Sequence, residues 1–192
     1  MGGAGGTGGS PRSGEGAQLR RRIESYVRAH HTMTVATYGR PWEVDVEPPG
    51  SPGPDWGRTG AAVGLVPHAA TVFYAADDRL RLIFLSKRTS LHGVHIRAGS
   101  PVAVTVAEEF QAWRDIQGVQ LWGEATVLSG LERAAALAVY VARFPFVREM
   151  MAEPRLAAIV RGIDVFRVTP VRAAFTDNRS GLFGREVLEL GC

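Results

Sequence analysis

Apolar residues recur along this chain with two different periods. Near the start, Leu19, Ile23, Tyr26 and Val27 return every three to four positions, which marks one face of a helix over 18–30. From residue 32 the period falls to two. Residues 32–38 (TMTVATY) read as a strand, Gly39-Arg40-Pro41 as a tight turn, and 42–46 (WEVDV) as the returning strand of a hairpin. Strands are expected again at 71–75 and 80–85, joined by a turn at Asp77-Asp78. A short helix over 90–98 precedes a strand at 102–107. A long strand over 116–128 then places Val119, Leu121, Gly123, Ala125 and Val127 on one face. Ser129 with Glu132 has the form of a capping box, opening a helix over 130–143 that Phe144-Pro145 stops. A second helix is expected over 147–161. The stretch 163–175 is extended, and Pro170 within it implies an edge or a bulge.

Short strands linked as hairpins, with helices between them, describe an α+β, mainly β chain with an antiparallel sheet or barrel. Residues 1–17 are mostly glycine and carry no large apolar anchor, so they read as a disordered leader to one domain over 18–192. Residues 47–67, dense in Pro and Gly, are too long for an ordinary connection and read as a flap or insertion.

Composition narrows the function classes. A chain of 192 residues can bury roughly 70% of its unfolded surface without disulfides or structural zinc. The one cysteine is Cys192, which makes no internal bridge. No apolar run reaches the ~20 residues that span a bilayer, and no basic-then-apolar start is present, so no membrane role and a cytoplasmic location are expected. The net charge of +3 comes from 22 basic residues scattered among 19 acidic ones, which argues against nucleic acid as a partner. Lys87 is the only lysine.

The densest chemistry lies at 85–93 (LSKRTSLHG), where a strand ends and a helix begins. Two cations, three hydroxyls and a histidine there suit a phosphate, because hydroxyl groups donate to phosphate oxygens and Lys and Arg supply charge. The same residues also suit a helix N-cap at Thr89 or Ser90 flanked by solvated loop charges. His30 and His31 point to opposite faces of an extended segment. His92 and His95 share a helix face but are too few for a metal site. No P-loop, G-x-G-x-x-G after a strand or nucleophile elbow is present.

Six segments, taken in order, carry a resemblance. They are 33–42 (MTVATYGRPW), 72–78 (VFYAADD), 82–93 (LIFLSKRTSLHG), 116–125 (IQGVQLWGEA), 140–145 (YVARFP) and 175–186 (FTDNRSGLFGRE). Together they resemble the pyridoxamine 5′-phosphate oxidase-like, FMN-binding split-barrel superfamily, and within it the uncharacterised YhbP-like group. The resemblance implies a six-stranded antiparallel split β-barrel with peripheral helices. It also implies a homodimer with the cofactor at the subunit interface, and an FMN-dependent oxidoreductase acting on a small organic molecule.

By the same resemblance, Ser86, Lys87, Ser90 and His92 fall in the segment that holds the flavin phosphate. Thr34, Val35, Ala36 and Thr37 lie on the strand whose backbone edge faces the flavin ring. Gln120 and Trp122 lie on the strand that reaches the partner subunit's flavin, although Trp122 equally suits an ordinary interface position. Asp177, Asn178 and Arg179 belong to a segment that closes over the ring. Three departures stand out: the 47–67 insertion, whose Trp56 and Arg58 could cap or block the pocket; His92, where classical pyridoxamine phosphate oxidases favour a cation such as Lys; and the lack of their substrate-binding Arg/His pattern. Relatives of this kind that use the deazaflavin F420, or bind haem, make those cofactors the alternatives. The residues leave the substrate open.

Overall fold

The computed structural model describes residues 13–40, 65–156, 162–181 and 184–191. The first helix, α1 (Ser13–Ala29), starts inside the stretch expected to be disordered. Glu15 in its first turn suits the helix dipole there, and an Arg20–Glu24 pair at 2.8 Å, one turn apart, supports the helix further along. Leu19, Ile23 and Val27 are 3%, 0% and 0% exposed, so the face read from the period is the buried one.

Seven strands follow among the described residues: β1 (Thr32–Gly39), β2 (Val66–Ala76), β3 (Leu82–Lys87), β4 (Pro101–Ala107), β5 (Gln117–Val127), β6 (Ile163–Asp177) and β7 (Arg185–Glu189). All pairings are antiparallel, in the order β3-β2-β1-β4-β5-β6-β7, and β3 also pairs with β6. Six strands therefore close a barrel, and β7 is added to the free half of β6. β2 begins at Val66, inside the expected insertion, and runs along the whole of β1 from Thr32↔Phe73 to Gly39↔Val66. The expected strand at 42–46, and Trp56 and Arg58, lie outside the described residues.

The barrel is split where β2 and β3 part. They pair only through Tyr74↔Phe84, Ala75↔Ile83 and Ala76↔Leu82. Beyond that point β2 continues along β1, while Leu85, Ser86 and Lys87 continue along β6. The helix α2 (Leu91–Arg97) closes this end, and α1 closes the other, its Tyr26 hydroxyl donating to the Gln117 carbonyl at 3.1 Å. Outside, α3 (Gly130–Arg143) and α4 (Phe146–Ala152) cover β2, β3 and β6 through Ile83, Leu128, Tyr140, Phe144, Val147 and Val165. Ser129 sits at the N-cap of α3 without a side-chain cap bond, because Gly130 has φ 54° and Glu132 is drawn away to Arg167 at 2.9 Å. The helix expected over 147–161 pauses after Ala152, and 157–161 lie outside the described residues.

The alternation read along β5 holds, and the proline in β6 marks a bulge. Trp122 pairs with Arg172 but Gly123 pairs with Pro170, leaving Val171 as the extra residue. Gly123 is required there: a Cβ would lie 2.2 Å from the Thr169 carbonyl oxygen and 2.7 Å from Pro170 Cα.

Candidate functional site

The parting of β2 and β3 is bridged by one imidazole. His92, on α2 and 5% exposed, sets Nε2 2.8 Å from Ser86 Oγ on β3 and Nδ1 3.5 Å from His68 Nε2 on β2. The two imidazoles stack at 5.6 Å, and Phe84 lies 5.9 Å from His92. Ser86 and Ser90 hydroxyl oxygens are 3.2 Å apart, and the Gly93 N–H donates to Ser90 Oγ at 3.3 Å. Ser90 is thus the N-cap of α2, as one of the two sequence readings had it. That helix has only seven residues, so its dipole adds little to an anion site.

Burial, reinforced by the nearby His68 and His95, holds the His92 pKa down at about 4, and burial also lowers that of His68. Both rings are neutral at pH 7. His95 is 1% exposed and is fixed separately. Its Nε2 donates to the Arg40 carbonyl at 3.1 Å, and Nδ1 then accepts from the Thr37 hydroxyl at 3.0 Å. Among the described residues no cluster of His, Cys, Asp and Glu has metal-holding geometry.

The four residues expected at a phosphate are not all brought together. Ser86, Ser90 and His92 meet, but Lys87 is exposed, and strand alternation sends its side chain to the face opposite Ser86. The nearby cations are Arg88 and Arg97, both on Asp164, the cross-strand partner of Ser86; Arg88 lies 3.3 Å from that carboxylate and its side chain is 73% exposed. His68 and Arg97 were not singled out in the sequence, whereas Arg88 was one of the two cations of the segment 85–93. The nearest signal for His68 was its place beside Pro67, in a stretch whose composition reads as loop.

On β1, Val35 points into the core and Thr37 to His95, while Thr34 and Ala36 face outward. The resemblance set the backbone edge of residues 34–37 against the flavin ring. β1 is an inner strand, and Thr34, Val35 and Ala36 are laddered to β2 on one side and β4 on the other. What residues 34 and 36 present is their small side chains, which share the outer face with Thr105, Ala103, Gln120 and Trp122. There Gln120 Oε1 is buried with no hydrogen-bond partner among the described residues. Trp122 is flanked by the guanidinium groups of Arg185 and Arg172 at 5.6 and 6.0 Å.

Asp177, Asn178 and Arg179 lie at the opposite end of the barrel from His92. They form a short turn facing Trp113–Asp115 across an open cleft of ≈ 500 Å³. The side-chain bonds from Arg179 hold the Asp177 carboxyl below its ordinary pKa. Asn178 Nδ2 donates to the Trp113 carbonyl at 2.8 Å.

No family model matches the chain. A curated UPF0306 protein of Serratia proteamaculans is 33% identical over 93 residues, 48% of this chain, and the chain spans 65% of that protein's length. A conserved hypothetical protein of Mycobacterium tuberculosis superposes with a TM-score of 0.58 and 20% identity, over 83% of this chain and 84% of that one. A Clostridium acetobutylicum protein of the pyridoxinephosphate oxidase family, related to general stress protein 26, gives 0.55 and 9% identity over 90% and 94%. The haem storage protein HutZ of Vibrio cholerae gives 0.54 and 13% identity over 79% and 89%. The fold is therefore the mainly β, α+β split barrel of pyridoxamine 5′-phosphate oxidase-like proteins. Among the described residues no helix is long and apolar enough to cross a membrane.

Proposed function

We propose that this protein is an FMN-dependent oxidoreductase acting on a small organic molecule, as a homodimer with the cofactor between subunits. The observation that carries the reading is the orphaned Gln120 Oε1 on an outer face of small residues. A buried carbonyl oxygen without a donor calls for an N–H from outside, and the flavin ring offers one on its pyrimidine edge. The side chains of Thr34, Ala36, Ala103 and Thr105 leave a floor on which a flat ring lies without displacing a large residue. Trp122 forms the wall beside it.

At the split, the Ser90 hydroxyl, backed by that of Ser86, and the exposed Arg88 form the donor set for a phosphate. In a dimer, one subunit would supply those hydroxyls, and Gln120 and Trp122 of the partner subunit would meet the ring. A bound flavin supplies the hydride chemistry; the chain's own residues bind, orient and shield it. The likeness in fold to a pyridoxinephosphate oxidase-family protein supports this reading.

The test is the spectrum and mass of the cofactor in purified protein, followed by titration of stripped protein with FMN and with F420. A yellow dimer holding about one FMN per subunit is expected. A monomer, or protein that stays colourless in FMN, overturns the proposal, and preference for F420 replaces the cofactor.

A haem-binding role is the second reading, favoured by the fold it shares with a haem storage protein. His30, His92 and His95 have both ring nitrogens engaged, so His31 and His68 are the candidate iron ligands. A Soret band on haem titration that His31→Ala or His68→Ala abolishes, without flavin uptake, would decide for it.

A further inference from the structure

The hydrogen-bonded chain at the split has a direction, and that direction decides what the rim can bind. Ser90 Oγ accepts from the Gly93 N–H at 3.3 Å. If Ser86 also donates to Ser90, both lone pairs of Ser90 are used and its hydrogen is left over. Ser86 can donate that way only if it accepts from His92, which then carries its proton on Nε2 and accepts at Nδ1 from His68 Nε2–H. In the reverse direction Ser90 spends its hydrogen on Ser86, and the rim offers a lone pair to whatever approaches. An anion requires the first arrangement.

We propose that His92, backed by His68, is a positioning residue of the phosphate subsite, directing the hydroxyl chain from Ser86 to Ser90 so that the Ser90 hydrogen is presented to the phosphate. The inference rests on the flavin reading above and adds to it the residues that orient its donors. His92 touches no ligand itself: it is buried, and both ring nitrogens are engaged inside the protein. His92 must be neutral in such a chain, since it accepts at Nδ1 from His68 while donating at Nε2 to Ser86. Burial keeps it in that form at pH 7. By linkage, an anion that selects one direction selects one tautomer, and a residue that holds the tautomer strengthens the anion's binding by the same factor.

The test compares FMN with riboflavin, which lacks the phosphate, on stripped wild type, His92→Leu and His92→Gln. Leu is expected to weaken FMN binding roughly tenfold, the loss of one hydrogen bond to a charged group, and to leave riboflavin binding unchanged. Gln, whose amide N–H replaces the donor to Ser86, is expected to restore most of the FMN affinity. Ser86→Ala combined with His92→Leu should be no worse than either alone, because one chain is broken once. In the FMN-bound wild type, ¹⁵N spectra should show His92 protonated at Nε2 and bare at Nδ1. Equal losses for FMN and riboflavin, failure of Gln to rescue, or an Nδ1–H tautomer in the bound state each overturn the proposal. If wild type binds neither flavin, the flavin reading fails. Inorganic phosphate, followed by the amide shifts of Thr89 and Ser90 in wild type and His92→Leu, then decides the positioning role. No phosphate-dependent shift in wild type overturns it.

Discussion

Gly39 is the last residue of β1, and the His95 ring of α2 lies against it. A Cβ at this position would stand 2.3 Å from His95 Cδ2 and 2.8 Å from both Cγ and Nε2. Carbon atoms rest comfortably at about 3.5–4.0 Å, so in Gly39→Ala the ring must retreat by an ångström or more. His95 has little room to do so, being 1% exposed and tied at both nitrogens, to Thr37 at 3.0 Å and to the Arg40 carbonyl at 3.1 Å. Overpacking of this kind costs about 1–3 kcal/mol. Stranding the buried Thr37 hydroxyl adds about 1–3 kcal/mol. Together they give a loss of about 2–6 kcal/mol, a large share of the ~5–15 kcal/mol that holds an ordinary domain folded. Urea denaturation followed by far-UV circular dichroism reads it as a lower midpoint at unchanged slope. The obstacle is a side chain, so removing that side chain should relieve it. His95→Ala is costly alone, yet the double variant should be more stable than the sum of the two losses by at least about 1 kcal/mol. A Gly39→Ala protein within about 0.5 kcal/mol of wild type, or strict additivity in the double variant, refutes the packing described for this end of the barrel.

Gly123→Ala should behave differently, because its Cβ would meet backbone, the Thr169 carbonyl oxygen and Pro170 Cα. The bulge must unpair, a loss of about 3 kcal/mol or more is expected in thermal melts, and truncating neighbouring side chains should not restore it. For His92 the folded pKa of about 4 lies below the unfolded value near 6.5, so below 6.5 the unfolded chain takes up the proton first. Its contribution is complete above pH 6.5 and is lost as pH falls towards 4, on the order of 2–4 kcal/mol, and His92→Gln should flatten that limb of the stability–pH curve. Gln120→Leu removes a buried oxygen without a partner, so the apoprotein should lose no more than about 0.5 kcal/mol while FMN affinity falls about tenfold. A destabilised apoprotein with unchanged FMN binding would contradict that assignment.

Periodicity revealed what depends on one element and its burial. The α1 face, the alternation of β5 and the irregularity at Pro170 were all legible, since each reflects which side of a single helix or strand avoids water. The segment 85–93 was also recognisable as a place of chemistry, but its membership was not. Lys87 and Ser86 are adjacent in sequence and opposite in space. His68 joins the group only because β2 and β3 part beside it, a property of two strands and not of either alone. That β2 and β4 take up the backbone of Thr34–Ala36 was hidden for the same reason, since neighbours in a sheet are set by closure across distant segments. β7 carried little signal: in REVLE only Val187 and Leu188 are apolar, and they are consecutive, so neither period appears. The capping box at Ser129 and Glu132 had the right letters, but a tertiary partner, Arg167, took the carboxylate.

Closure of the barrel through β3 and β6 also sets an order of events during synthesis. β1, β2 and β3 leave the ribosome early and can form their hairpins at once. The second edge of β3 then waits for residues made about 80 positions later, after α3 and α4 have passed. Until then Leu82, Phe84 and their neighbours stand at an unpaired edge of the kind that recruits other chains. Premature termination after α3 should therefore yield aggregates, while termination after β6 leaves the barrel able to close.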